Sequence, residues 1–379
     1  MLTSSATTHA PLDRIPPEIR CATDYETLAR RFMAGPSYEY VAGGSAQDVT
    51  LAANLAAFAG WSIYPRLLAD VSAGHLGLTL AGQPLSNPVL LAPVAFQKLA
   101  HPLGELETAR AAQAVQSCLV TSTLSSCTLE DVARAAGPGH WFQLYFQPTR
   151  EATLDLLARA EAAGYKAIVV TLDAPLQVPS MRALQAQFRM PADCAPANLR
   201  NYDALPPPEP GPGQSRIFQG AMRAAPTWRD LQWLMTQTTL PVWIKGVAHP
   251  SDACAMRDAG AAGVIVSNHG GRGLDGAPAS LAMLPAVRAA LGPEYPVLFD
   301  GGIRSGSDIF KALALGANAV LVGRLQMYAL SVAGALGVAH MVRLLLEELE
   351  ICMALAGCAS VAQVDRATLY RHRDEGMGC

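Results

Sequence analysis

The chain has 379 residues, of which 51% are hydrophobic and 16% charged, and its formal net charge at pH 7 is -3. This balance excludes a disordered or fibrous chain and leaves room for one large domain or two ordinary ones. It gives no electrostatic reason to expect nucleic acid or an anionic membrane as partner, so the expected partners are small molecules. The eight cysteines form no C-x-x-C pair and no His-Cys cluster with zinc spacing, which predicts reduced thiols, no metal and a cytoplasmic setting. The first twenty residues contain no continuous apolar stretch, and no run approaches the roughly eighteen apolar residues of a spanning segment. A soluble protein without a membrane anchor is expected.

Residues 1–85 lack a regular strand rhythm and read as a helical N-terminal extension. After them, short runs rich in Val, Ile and Leu alternate with stretches of helical spacing, the pattern of βαβ units whose parallel strands are buried on both faces. The predicted strands are 89–94, 119–123, 141–146, 167–173, 241–247, 263–268, 297–300 and 319–323. The intervening helices are expected at 105–116, 129–136, 150–163, 227–238, 250–259, 279–291 and 307–315, with a long last helix at 329–355. Eight strand-helix units with right-handed crossovers close most naturally into a (β/α)8 TIM barrel, here over 86–360, with an open doubly wound sheet as the competing arrangement. The whole chain, 1–379, then forms one domain with a tail at 361–379. Between the fourth strand and the next helix, 190–226 includes Pro206-Pro207-Pro208-Glu209-Pro210-Gly211-Pro212-Gly213, which excludes a regular helix or central strand. A Pro/Gly-rich lid insertion on the catalytic face is expected there.

In such a barrel the reacting groups come from the C-terminal strand ends. Unusual polar residues collect there: Gln143 and Tyr145, Thr171 and Asp173, Lys245, Ser267-Asn268-His269, Asp300, and Arg324. A single Lys, His or Asp in a core is more often a satisfied structural group, but six equivalent positions point to a site. Asp300-Gly301-Gly302-Ile303-Arg304 and Gly323-Arg324 fit a phosphate site after strands seven and eight, where glycines admit backbone N–H groups and arginines supply charge. The bland alternative is two tight turns with solvated arginines. Gly271-Arg272-Gly273-Leu274-Asp275-Gly276 spells G-x-G-x-x-G, but Asn268 and His269 separate it from the strand and Pro278 marks the helix start beyond it, so a dinucleotide turn is disfavoured.

The runs S-N-H-G-G-R-G-L-D at 267–275, W-I-K-G-V at 243–247, L-F-D-G-G-I-R-S-G-S-D-I-F-K-A-L-A-L-G-A at 298–317, A-P-V-A-F-Q-K-L-A-H-P at 92–102 and F-Q-L-Y at 142–145 together resemble the FMN-dependent α-hydroxy-acid oxidases and dehydrogenases. The likeness extends from about residue 24 to 355. It implies FMN as cofactor, its ring held near Pro93, Val94, Ala95, Ser122, Gln143, Thr171 and Ser267, with Lys245 beside the ring edge that becomes negative on reduction. Asp300, Gly302, Arg304, Gly323 and Arg324 would hold ribityl and phosphate. His269 matches the base that takes a proton from a 2-hydroxy acid, Asp173 its carboxylate partner, Arg272 the guanidinium that grips the substrate carboxylate, and Tyr145 a tyrosine that hydrogen-bonds substrate.

Three positions depart from that pattern. Val41 falls where the resemblance places a substrate tyrosine, Ser180 where it places a second arginine, with Arg182 two residues away, and Leu124 where glycolate oxidase has tryptophan. A charge-assisted hydrogen bond contributes about 1.5–3 kcal/mol, so these losses predict weaker binding of a small free carboxylate. The expectation is therefore oxidation of a 2-hydroxy acid or a derivative of one, with a bulky or carboxyl-masked substrate, or another FMN reaction such as oxidative decarboxylation, as the alternative. The electron acceptor is expected to be O2 or another soluble acceptor, and the assembly a homo-oligomer, a tetramer by resemblance.

Overall fold

The computed structural model describes residues 8–202 and 210–372. Eight parallel strands form one sheet, in chain order Val89–Leu91, Val120–Ser122, Trp141–Leu144, Ile168–Thr171, Val242–Val247, Gly263–Val266, Val297–Asp300 and Ala319–Val322. From the second to the eighth each strand pairs with the next, the eighth pairs with the first, and a parallel bridge between Leu91 and Leu119 closes the cylinder between first and second. The expected (β/α)8 barrel is therefore observed.

Strand residues alternate between two cores because successive side chains point to opposite faces. Leu90, Val120, Trp141, Val169, Trp243, Ile265, Leu298 and Leu321 fill the barrel interior, whereas Val89, Leu91, Phe142, Val170, Ile244, Val264 and Phe299 pack outward under the helices. Trp141 and Trp243 stack 4.9 Å apart, and a Cβ on Gly263 would lie 2.2 Å from the Trp243 ring, so that glycine makes room for the indole. An antiparallel hairpin, Leu78–Leu80 with Gln83–Leu85, closes the floor: Leu80 joins the interior core and Gln83 Oε1 accepts from Trp141 Nε1 at 2.9 Å. With one end sealed, polar chemistry is confined to the other.

The N-terminal extension contains helices α1 (Asp24–Ala29), α2 (Gly35–Ala42) and α3 (Val49–Ala56), but it is not purely helical. Besides the floor hairpin, Trp61–Ile63 pairs antiparallel with Leu369–Arg371, so the described part of the tail belongs to the fold. The last helix, Arg324–Ala356, starts five residues before the expected position and is broken at Ala333 and Gly334, whose dihedrals are non-helical. Glu107 caps the second segment by accepting from Ala335 N at 2.9 Å. Contrary to expectation, this helix is long and apolar enough by composition to cross a membrane, but most of its apolar stretch is buried inside the protein. In the lid insertion, Ala192–Cys194 and Ala197–Leu199 form short turns. Asn198 fixes them, donating to the carbonyls of Ser122 and Thr123 and accepting from Leu129 N. Residues 206–209 of the Pro/Gly run lie outside the described residues.

Candidate active site

At the open end, Lys245 on the fifth strand pairs in register with Thr171 on the fourth. Its ammonium lies 3.0 Å from Asp300 Oδ2 and donates to Ser267 Oγ at 2.8 Å. Burial alone would lower the Lys245 pKa, yet Asp300 and Asp173 outweigh it and hold the amine protonated. The strand bulges at Gly246, where φ is +99° and a Cβ would lie 2.4 Å from that of Asp173. Only glycine permits this approach, which brings Asp173 beside both Lys245 and His269.

Asp173 Oδ1 is 2.8 Å from His269 Nδ1. Burial would raise its pKa, but the adjoining His269 and Lys245 hold it down at about 2, against a usual 3.8. A carboxylate whose folded pKa is depressed contributes stability that is complete above its unfolded pKa and lost as pH falls through the folded one. Asp173→Asn should therefore lower stability by about 2 kcal/mol at neutral pH. The gap in melting temperature between variant and parent should narrow below about pH 4; a gap constant down to pH 2 would contradict this origin.

His269 occupies the left-handed region at φ +60°, and its N–H donates to Ser267 Oγ at 2.9 Å. Three residues on, Arg272 uses one terminal nitrogen to reach the carbonyls of Tyr40 (2.8 Å) and Gly43 (3.0 Å), and its guanidinium lies 4.7 Å over the Tyr40 ring. No carboxylate pairs with Arg272 among the described residues. Tyr40 stacks in turn on Phe188 at 4.3 Å. This corrects the expectation at Val41: α2 turns about 100° per residue, which places Tyr40 at Arg272 while Val41 packs into the hydrophobic core and offers its carbonyl to Arg324. A phenol therefore does stand beside Arg272, one residue earlier than the sequence reading placed it.

Ser180 caps the short helix Met181–Gln185, and its hydroxyl would be 2.8 Å from a Cβ on Gly43, so it sits beside the segment that holds Arg272. Arg182 does not replace a second arginine, because its guanidinium is committed to Glu39 and Asp48. Leu124 is half-buried just beyond the second strand, its N–H donating to Ser122 Oγ. Tyr145 is a protonated phenol: burial, opposed by Lys245 and reinforced by Asp173, pushes its pKa up to about 12.

Four buried polar atoms at these strand ends have no partner among the described residues: Gln143 Nε2, Thr171 Oγ1, Asp173 Oδ2 and Asp300 Oδ1. The Gln143 amide is oriented by Ser122 Oγ and Thr123 N, which donate to its Oε1 at 3.3 and 3.2 Å. A buried unmade hydrogen bond costs about 1–3 kcal/mol, so a cluster of them marks a place where a polar ligand is received. Pro93, Val94 and Ala95 are half-buried on the first-strand side of this opening.

After strands seven and eight, Gly301 and Gly302 adopt φ of +112° and +88°, and a short helix begins at Arg324 and ends at the break, the arrangement of a barrel phosphate site. Arg324 donates to the carbonyls of Val41, Gly43 and Gly270 at 3.1, 2.7 and 2.8 Å. Burial and the neighbouring Arg272 push its pKa down to about 10, and no carboxylate forms an ion pair with it among the described residues. Arg304, expected to help hold ribityl and phosphate, pairs through Nε with Glu26 of α1 at 3.0 Å. Sequence reasoning missed Tyr40, Phe188 and the N-terminal segment that holds the Arg272 loop. Nothing in the motifs signals these long-range contacts.

Residues 29–371 match the profile of the FMN-dependent dehydrogenase family. The chain is 66% identical over 360 residues to an L-lactate oxidase of Alicycliphilus denitrificans, covering 95% of this chain and 99% of the relative. It is 38% identical over 362 residues to a peroxisomal (S)-2-hydroxy-acid oxidase of Oryza sativa subsp. japonica, covering 96% and 98%. A solved mandelate oxidase structure with (S)-2-phenylpropionate superposes with a TM-score of 0.84 at 39% identity, covering 93% of this chain and 98% of that one. Barrel, strand-end cluster and full-length similarity agree: the chain belongs to the FMN-dependent dehydrogenase family and is an FMN-dependent oxidoreductase.

Proposed function

We propose that this protein oxidises a small 2-hydroxy acid, with L-lactate the leading substrate, to the 2-oxo acid, the electrons passing through FMN to O2. The observation that carries the reading is the His269–Asp173 pair three residues from an Arg272 that has no carboxylate partner among the described residues. The 66% identity to an L-lactate oxidase supports the substrate.

The residues present fit FMN. Gln143 Nε2 and Thr171 Oγ1 are unpartnered and suit the polar edge of an isoalloxazine ring, with Ser122 and Ser267 beside them. Lys245 supplies a fixed cation for the ring edge that becomes negative on reduction. Asp300 Oδ1 suits a ribityl hydroxyl, and the buried Arg324, in no ion pair among the described residues, suits the phosphate together with Gly302 and Gly323. Bound FMN supplies the two-electron acceptor.

Every other part falls to the side chains. Arg272 takes the substrate carboxylate on the edge not given to Tyr40 and Gly43. Tyr145 and Tyr40 donate to substrate oxygens. His269 Nδ1 is engaged by Asp173, so Nε2 is the nitrogen that accepts the substrate proton, and the anionic Asp173 stabilises the imidazolium formed. With Ser180 and Leu124 at the other positions, the pocket holds a carboxylate with fewer charges than the resemblance implies. The effect falls on affinity and leaves the proton transfer intact. The proposal extends to a homotetramer, supported by the family resemblance, in a cytoplasmic setting that the cysteine pattern suits, and without nucleic-acid or membrane partners, for which a net charge of -3 gives no attraction.

Anaerobic mixing with a panel of acids tests the substrate. L-lactate should bleach the flavin absorbance and yield pyruvate, and its methyl ester and amide should react at least tenfold more slowly. Rapid bleaching by the ester with lactate inert would overturn the free-acid reading in favour of a carboxyl-masked substrate.

A further inference from the structure

The loop carrying His269 and Arg272 leaves its strand at Val266 and re-enters regular structure at Ser280, fourteen residues later. Its four glycines, Gly270, Gly271, Gly273 and Gly276, give the segment little conformational preference of its own, and His269 sits in a region that residues with a Cβ avoid.

 Gly270, Gly271 and Gly276 have positive φ. What shapes this loop comes from elsewhere in the chain, from residues 45–54 of the N-terminal extension. Ser45 donates through Oγ to the carbonyls of Gly271 and Gly273, Asp275 accepts from Gln47 N and Thr50 N, and Thr50 Oγ1 reaches Leu274 O and Ala277 O.

Asn54 of α3 is the innermost of these contacts. Its Nδ2 donates to Asn268 Oδ1 and its Oδ1 accepts from Asn268 Nδ2, both at 2.8 Å, and the same oxygen accepts from Ser280 N at 2.9 Å. Both amides are buried, with Asn54 1% and Asn268 7% exposed. Asn268 uses its remaining capacity on Pro278 O and Gly271 N, on either side of Arg272. Asn54 also touches the seventh-strand loop: its carbonyl oxygen would be 2.3 Å from a Cβ on Gly302. One side chain thereby fixes the residue before His269 and the start of the helix that follows, while its backbone abuts the loop assigned to ribityl and phosphate.

We propose that Asn54 is a positioning residue for the oxidation: through the reciprocal amide pair with Asn268 it holds the His269 imidazole at its working position relative to Asp173 and substrate. The inference rests on the function proposed above. Removing the pair leaves the buried Asn268 amide with only its contacts to Pro278 O and Gly271 N, and it frees His269 to leave its left-handed conformation. The proton acceptor then spends less time in place, which lowers the rate of substrate oxidation at saturating substrate more than it weakens substrate binding.

The test compares Asn54→Ala and Asn54→Asp holoenzymes with the parent, with rates expressed per bound FMN and bleaching by L-lactate followed anaerobically. Asn54→Ala should lower the limiting bleaching rate at least tenfold, raise the half-saturating lactate concentration less than threefold, and displace the acidic limb of the pH profile of that rate. Asn54→Asp keeps the acceptor for Asn268 Nδ2 and Ser280 N, and should retain more activity than Asn54→Ala. A purely structural role would lower the melting temperature and the yield of holoenzyme while leaving the per-flavin rate within twofold and the pH profile unmoved; that result would overturn the proposal. If Asn54→Ala does not fold, Asn54→Ser takes its place under the same criteria. Failure of the parent enzyme to be bleached by lactate would instead count against the proposed function, so the two failures are distinguishable.

Discussion

Replacing His269 by glutamine is expected to slow flavin reduction about 100- to 10,000-fold, the range over which a positioned general base acts. Glutamine retains a polar group near Asp173 but cannot take up a proton at neutral pH. The fall should appear in the limiting rate at saturating substrate, with little change in the concentration needed for half-saturation, because the base acts on the proton in flight and does not anchor the carboxylate. The flavin spectrum and the FMN content of the variant should match the parent, since the cluster around Gln143, Thr171 and Lys245 is untouched. Stopped-flow bleaching under nitrogen reads all of these. A loss smaller than tenfold would show that the proton leaves by another route, and the role of His269 would then have to be reassigned.

Arg272→Met should have the opposite signature. Losing a charge-assisted contact worth about 1.5–3 kcal/mol weakens binding of a carboxylate roughly 10- to 150-fold. Arg272→Lys should recover only part of this, because an ammonium keeps the charge but lacks the planar fork. A neutral 2-hydroxy amide provides the internal control: its slower reaction should be nearly indifferent to Arg272→Met, since there is no carboxylate to lose. Some thermal stability should go as well, because Arg272 also ties the carbonyls of Tyr40 and Gly43 to the loop. Equal losses for acid and amide would indicate that Arg272 serves mainly to hold α2 against the barrel.

The barrel was legible because its signal is repeated. Each strand is a short β-branched run followed by a helix, and all eight appear where expected, with most shortened at the C-terminal end. Those ends were overestimated because the apolar run continues into the loop after the ladder stops, as at 89–94, where pairing ends at Leu91. The start of the last helix was misplaced because Arg324 and Gln326 interrupt the apolar pattern, although both are helical. The three-residue strands of the extension and tail carry too little pattern to be read at all. At the site, motif position found His269, Asp173, Lys245 and Arg272, whose neighbours in sequence are also their neighbours in function. It failed at Val41 and Tyr40, because a short helix changes facing direction with every residue and no local feature fixes its phase. Asn54 was invisible for a related reason: one polar residue in an alanine-rich helix looks ordinary until its partner, 214 positions away, is seen.

The cylinder is closed between its first and second strands by a single bridge, Leu91 to Leu119, where every other seam is a ladder. Pro93, Val94 and Ala95 follow one side of that seam, and Ser122 ends the other. An FMN ring held by residues from both sides, as proposed, would work like a rivet across the weakest joint in the wall. Loss of the cofactor and loosening of the barrel would then be linked, and the free energy of binding FMN would enter directly into the resistance of the protein to unfolding.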